Sequence, residues 1–377
     1  MFNKGNREAR FDRLRRGEEA PREFFYGYFD LEQAGMICAM ADTSGRFAGP
    51  VGRIADILER GVARFTAVGA RPLSARLDSR EFADAKVFIS NTDGFSLSMS
   101  LAFGKNEKRP ALMGGFQALS DIEGRVSAAM RPLAMRIIRA ALNRLDHVFF
   151  LSPADRDRVV ARYGIPAGKT SLFEFGVDTE FWRPSADVAE EDFVFSIGQD
   201  WNRDFQCLVE APVSRNIRIV TSLPVHVPAG RDHVEVIKGE FSGKLITDQE
   251  LRRIYSAARV VVVPSRDVYQ PAGQSVALQA MSCGRPVIIS GIKGLWAPDK
   301  LKDGENCLIV PPGGRDALAR AIERVFLDAA FAERLGRAAR ETVVSNFSLR
   351  HMGNSMTGLA RLGLSIFDAR RQAELRP

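Results

Sequence analysis

The chain has 377 residues, 45% of them hydrophobic and 26% charged, with a formal net charge of +7. That length and apolar content suit two buried cores at ~100–200 residues per domain. The positive balance points to anionic partners, namely nucleotide diphosphates, anionic lipid or nucleic acid. No helix-turn-helix, zinc knuckle or RNP-type aromatic motif appears, so nucleic acid is not expected. Cys38, Cys207, Cys283 and Cys307 stand without a C-x-x-C, and His147, His226, His233 and His351 lack metal-ligand spacing. Reduced thiols and no metal site are expected. With no apolar run of ~18 residues and no apolar core in the opening MFNKGNREARFDRLRRGEEAP, the expected location is cytoplasmic.

In chain order, the first half alternates strands and helices. Gly35–Ala41, Ala63–Val68, Lys86–Ser90, Arg109–Met113, His147–Leu151 and Lys169–Phe175 read as strands, a doubly wound α/β pattern. Ligands in such sheets sit beyond the carboxyl ends of strands, which nominates Asn91 and Asp93 after one strand and Gly114 and Gly115 after another as ligand contacts of the first half. From Arg125 to Leu145, Met130, Ala134, Ile137, Ile138, Ala141 and Leu145 share one helical face, and Arg136, Arg139 and Arg144 lie mostly opposite. A solvated basic face is the plain reading. The sharper one is an anionic membrane surface met by Arg125, Arg136, Arg139 and Arg144, reinforced by Arg10, Arg13, Arg15 and Arg16, which would place the chain at the inner face of a membrane.

The polar SADVAEED after Pro184 marks a boundary, giving domains over 1–180 and 181–350 and a helical segment over 351–377 expected to pack back on the first. The second half reads as strands near Phe193–Ile197, Ile217–Thr221, Val234–Lys238, Val260–Val263, Val287–Ser290 and Cys307–Val310. Thr247 and Glu250 form a capping box at the head of a helix. No G-x-G-x-x-G follows a strand, so a nicotinamide or flavin reading has no anchor.

The richest stretch is VVVVPSRDVYQPAGQSVALQAMSCGRPVIIS, residues 260–290. Two β-branched runs flank a connection with room for one helix. Gly273, Gln274, Ser275 and Val276 open it, and Gly284 with Pro286 ends it. A helix N-terminus at the carboxyl end of a parallel strand favours an anion through its unpaired N–H groups and its dipole, and a diphosphate is the obvious guest.

Pro264-Ser265 and Ala280-Met281-Ser282-Cys283-Gly284-Arg285-Pro286-Val287 resemble the nucleotide-sugar half of the retaining glycosyltransferases of family four, the group 1 enzymes with the GT-B fold. Phe175-Gly176-Val177-Asp178 through Pro184 resembles the crossing point of that family. The resemblance implies two Rossmann-like domains facing across a cleft. It also implies sugar transfer from a nucleotide-diphosphate donor, with retention, to a glycan, lipid-linked or small acceptor in envelope or polysaccharide synthesis. No cofactor is implied beyond the nucleotide sugar. Two departures stand out. Gln279 occupies the place of the second motif Glu, which in the family contacts the ribose. For the first, which contacts the sugar, strict counting gives Pro271, and one extra turn residue gives Gln270. Gln270 is preferred because proline offers no side-chain hydrogen bond. In the loop Gly198 to Phe205, Arg203 supplies one of two expected diphosphate cations, and Gln199 replaces the other. The resemblance thus makes Arg203 and Gln270 catalytic candidates. Gly198, Gly273, Gln274, Ser275, Val276, Gln279 and Lys293 complete the donor contacts. Loss of both carboxylates keeps a second expectation open, a GT-B-like binding protein without catalysis.

Overall fold

The computed structural model describes residues 5–40, 50–78, 82–103, 109–239 and 246–374. It divides into two compact units, the first built mainly of Tyr26–Glu174 with Gly353–Pro377 and the second of Asn6–Phe25 with Phe175–Met352. The assignment of residues 1–180 to one domain is therefore corrected at both ends: Asn6–Phe25 belongs with the second unit, and the second unit already starts at Phe175.

In chain order, α1 (Gly5–Arg15) precedes α2 (Tyr28–Gln33), α3 (Pro50–Thr66) and α4 (Pro72–Asp78). The first unit's sheet follows, with β1 (Val87–Ser90), α5 (Asp93–Ala102), β2 (Ala111–Phe116), α6 (Arg131–Arg144), β3 (His147–Phe150), α7 (Pro153–Tyr163) and β4 (Thr170–Leu172). Its four strands are parallel, in the order β1-β2-β3-β4. Leu97 and Met99 from α5, Leu112 and Phe116 from β2, Ile138 and Leu142 from α6, and Val148 and Phe150 from β3 form its core. Two expected strands are not strands. Ala63–Val68 falls largely within the last turn of α3, and residues 36–40 carry no regular structure, Ala41 lying outside the described residues. The helix expected from Arg125 begins at Arg131; Arg125 ends a separate 3-10 turn, Leu119–Arg125.

The second unit contains β5 (Glu191–Ile197), α8 (Phe205–Glu210), β6 (Asn216–Thr221), β7 (Val234–Lys238), α9 (Asp248–Ala257), β8 (Ala258–Val263), α10 (Gln274–Ser282), β9 (Val287–Ser290), β10 (Leu308–Val310), α11 (Arg315–Leu327) and α12 (Ala329–Asn346). The last helix, α13, is Leu349–Glu374. The six strands are parallel in the order β10-β9-β8-β5-β6-β7. The order runs outward one way from β5 and the other way from β8, so the winding reverses between them. Such a reversal opens a crevice at the carboxyl ends of the two strands where ligands settle. The capping box forms, with the Thr247 Oγ1 accepting from the Glu250 N–H at 3.1 Å and the Glu250 carboxylate accepting from the Thr247 N–H at 2.7 Å.

Candidate active site

The loops leaving β5 and β8 are fastened to one another. Asp204 N donates to the Pro264 carbonyl at 3.1 Å, Arg266 N donates to the Asn202 carbonyl at 2.9 Å, and Arg203 bridges to Ser265. This lays Arg203 in the β5/β8 crevice with only 5% of its surface exposed. A Cβ added at Gly198 would stand 2.6 Å from Arg203 Nε, and one at Gly273 would stand 2.8 Å from Nη1. Both glycines therefore make room for the guanidinium. Gly273 also holds φ at +86°, a conformation that only glycine adopts without strain.

Among the described residues, Arg203 Nε and Nη1 have no hydrogen-bond partner. A buried donor left unpaired costs about 1–3 kcal/mol, more when charged. Burial pulls the guanidinium down to about 10, opposed by the charges of Asp200 and Tyr255, so it stays a cation at neutral pH. Gly273 is the N-cap of α10, and the first closing bond runs from Ala277 N to the Gly273 carbonyl at 3.0 Å. The N–H groups of Gln274, Ser275 and Val276 precede it, at the positive end of the helix dipole. A fixed cation with idle donors and a helix N-terminus thus converge on one place, an arrangement suited to a phosphate or diphosphate.

Gln270 lies beside this place. Its Oε1 accepts from Asn202 Nδ2 at 2.9 Å, and its Nε2 donates to Asp200. Asn202 is fully buried and its Oδ1 has no partner among the described residues. Asp200 and Asn202 are participants that the motif reading missed; both stand in the quoted loop, but only tertiary structure shows that they hold Gln270. Gln279, expected at the ribose, is instead wholly enclosed. Its Nε2 donates to Glu23 at 3.0 Å and its Oε1 accepts from the Tyr255 hydroxyl at 3.3 Å, so both ends of the amide are engaged inside the unit. Lys293 pairs with Asp267 at 2.7 Å. Its loop nevertheless abuts the site, since a Cβ at Gly294 would lie 2.4 Å from the Gln270 carbonyl. The Asp303 to Asn306 turn is structural: Asp303 Oδ1 accepts from Ile309 N at 2.8 Å, and Gly304 has φ of +74°.

In the first unit the nominated residues do not converge in the same way. Gly114 and Gly115 lie within β2, not in a loop after it. A Cβ at Gly114 would stand 2.6 Å from Leu145 Cδ1, and one at Gly115 would stand 2.4 Å from the Phe149 ring, so these glycines admit packed hydrophobes. Asp93 accepts from Gln117 N at 3.1 Å with one oxygen and from Ala118 N at 3.2 Å with the other. Burial raises its carboxyl above the ordinary range. Asn91 is buried with Oδ1 unpaired among the described residues. Asp155, absent from the sequence reading, is fully buried after β3; it accepts from Ser120 N at 3.3 Å, and burial pushes its carboxyl up to about 7.

The basic positions divide. Arg125, Arg136 and Arg139 are exposed, and Arg144 is half-buried. The amino-terminal arginines are not a free charge cluster: Arg10 is buried against Asp248, and Arg13 and Arg16 pair with Glu18. No group of three or more His, Cys, Asp or Glu side chains among the described residues is placed to hold a metal ion.

Residues 226–328 match the sequence model of the family described as Glycosyl transferases group 1. The alpha-maltose-1-phosphate synthase of Mycolicibacterium smegmatis is 26% identical over 286 residues, 67% of this chain and 69% of that one. A D-inositol 3-phosphate glycosyltransferase of Kribbella flavida is 28% identical over 225 residues, 52% of each chain. Among solved structures, a sucrose-phosphate synthase from Thermosynechococcus elongatus superposes with a TM-score of 0.61 at 24% identity, covering 78% of both chains. The Anabaena protein Alr3699/HepE in complex with UDP and glucose does so with a TM-score of 0.61 at 16% identity, covering 88% of both. Residues 226–328 are thus similar to the group 1 glycosyltransferases, and the chain has the GT-B fold.

Proposed function

We propose that this chain transfers a sugar from a nucleotide-diphosphate donor to a glycan, lipid-linked or small acceptor, with retention of configuration. The observation that carries this reading is the buried Arg203, with idle donors, beside the N-terminus of α10. The difficult event in such a transfer is departure of the diphosphate. Arg203 and the helix N-terminus meet the charge that develops on it, and a departing phosphate oxygen takes the proton of the acceptor hydroxyl. In this reading Gln270, held by Asn202 and Asp200, offers neutral hydrogen bonds to sugar hydroxyls. Because cationic and dipolar groups take the charge, turnover is expected to survive chelation. Complexes of Alr3699/HepE with UDP and with UDP-glucose recommend uridine nucleotides as first probes. Calorimetry with UDP, ADP and GDP, followed by transfer and donor-hydrolysis assays with and without EDTA, tests the reading.

A second reading, a nucleotide-sugar-binding protein without catalysis, is favoured by Gln270 and by the enclosed Gln279, since neither brings a carboxylate to the site. Binding without transfer or hydrolysis across a broad donor and acceptor panel decides for it. For the acceptor side, Asn91 and Asp93 remain the candidates. Contact with an anionic membrane is supported by exposed Arg136 and Arg139 on α6 and by exposed Ile54, Ile57 and Leu58 on α3, and co-sedimentation with anionic vesicles tests it.

A further inference from the structure

The segment before Phe25 is a strap built into the second unit. Arg10 grips Asp248 through two bonds, Nε to Oδ2 at 2.7 Å and Nη2 to Oδ1 at 2.6 Å. Arg22 Nε donates to Asp178 Oδ2 at 2.9 Å, and Phe25 is 1% exposed. Between these anchors Glu23 is itself 1% exposed. Its Oε1 accepts from Trp182 Nε1 at 2.5 Å and from Gln279 Nε2 at 3.0 Å, and its Oε2 accepts from Asp178 N at 3.3 Å.

All three partners are donors, so the site is made for a carboxylate. Burial opposes ionisation and pushes the group up to about 7, with the bond from Trp182 pulling it down, Asp178 pushing it up, and Gln279 pulling it down. Other charged or titratable groups among the described residues on its partners are Tyr255, which Gln279 joins, Arg22, which Asp178 holds, and Arg340, whose Nη1 donates to the Trp182 carbonyl at 3.4 Å. Gln279 lies on α10, a helix of nine residues whose first turn forms the anion site. A fully buried amide has to satisfy both ends where it stands. Among the described residues, the acceptor for its N–H group is Glu23 of the strap. A carboxylate at position 279 would instead face the carboxylate of Glu23 at hydrogen-bonding distance. The identities of the two residues thus depend on one another, with the negative charge carried by the strap and the amide by the helix.

We propose that Glu23 is a positioning residue for the anion site: it fixes Gln279 and through it the setting of α10 against Arg203. This rests on the donor reading given above. The test is calorimetric titration of UDP into the full chain and four variants, with melting temperatures recorded alongside. Glu23→Gln keeps shape but turns one acceptor oxygen into a donor, and it should weaken UDP binding by about tenfold. Gln279→Glu should weaken it comparably and more at pH 8 than at pH 6, because two touching carboxyls must share a proton. The double variant Glu23→Gln/Gln279→Glu restores one carboxylate and one amide, and it should return to within about threefold of the parent, with the pH dependence of the parent rather than of Gln279→Glu. Arg10→Ala loosens the strap at its other anchor, and it should lower the melting temperature while leaving UDP affinity within about twofold. Unchanged affinity in Glu23→Gln, a double variant no better than the poorer single one, or an Arg10→Ala loss equal to that of Glu23→Gln would each overturn the inference. A parent protein that binds neither UDP, ADP nor GDP would overturn the donor reading, and this one with it.

Discussion

The two units use the same architecture to opposite ends where their strands finish. In the second unit the strand order reverses between β5 and β8, and the loops there leave a buried cation with idle donors. In the first the strands follow in simple order, and the oxygens of Asp93 are taken by Gln117 and Ala118. Glycine makes the contrast plainest. Gly198 clears space for the guanidinium of Arg203 and Gly273 for both that guanidinium and Val263, whereas Gly114 and Gly115 clear it for Leu145 and Phe149. A parallel sheet with glycines near its carboxyl edge is thus not in itself a site. The site requires a reversal of winding, and a polar group that the fold holds without satisfying.

The largest effect should come from removing that group. Arg203→Met keeps the volume of the stem and removes the charge, so UDP affinity should fall by about 10- to 150-fold, the range of a hydrogen bond to a charged group. The free protein should become more stable by about 1 kcal/mol or more, because a buried group with unpaired donors is gone. Calorimetry and chemical denaturation measure the two. A variant that loses stability and keeps affinity would show Arg203 to be structural, and would erase the contrast between the units.

The opposite result is expected at the first unit's glycines. Gly115→Ala drives a methyl into the Phe149 ring at 2.4 Å and toward the Ser90 carbonyl at 2.9 Å. Overpacking of this kind costs about 1–3 kcal/mol, seen as a lower melting temperature, while UDP affinity stays as in the parent. Loss of UDP binding in a folded Gly115→Ala protein would count against the division of labour.

A third test uses pH. Asp155 is buried near Asp93 and Asp121, and its carboxyl stands at about 7 against an ordinary 3.8. The folded value exceeds the unfolded one, so its stabilising contribution is complete below the ordinary value and is lost as pH rises to about 7, at ~1.4 kcal/mol per pH unit in between. Asp155→Asn should therefore shrink the fall in unfolding free energy from pH 5 to pH 7 by about 2 kcal/mol. An unchanged pH slope would mean that the carboxyl titrates in its ordinary range.

The second unit was largely legible in sequence because β7 to β10 are short runs rich in β-branched residues, each followed at once by Gly or Pro, and because α10 carries both its start and stop residues. The first unit was harder for identifiable reasons. The run at Ala63–Val68 looks like a strand over six residues, but it is mostly the end of α3, a helix of seventeen, and a short apolar run does not reveal its period. The strap misled for another reason. Arg10 and Asp248 are separated by 238 positions, so a partner that buries the arginine leaves no local trace, and the residue reads as free charge. Glu23 escaped notice in the same way, since its three donors come from residues 178, 182 and 279. At the site, the type and order of Gly198, Arg203 and Gly273 were readable, whereas the inward turn of Gln279 was not.

The smallest expected effect concerns Lys293, where the resemblance and the geometry diverge. Its ammonium pairs with Asp267 at 2.7 Å, with side-chain exposures of 54% and 42%. A pair this open to water contributes little in either direction, and its loop is held independently by Gly294 N donating to the Val268 carbonyl at 2.8 Å. Lys293→Ala should therefore change UDP affinity by less than about threefold, a fraction of the Arg203 effect. The salt dependence of binding separates the two roles further. A lysine that leaves Asp267 for the diphosphate would contribute mainly long-range attraction, and its removal would flatten the fall in affinity between low and high salt. If Lys293→Ala costs more than about tenfold at low salt and converges with the parent at high salt, Lys293 joins the donor contacts and Asp267 becomes the group that holds it in reserve.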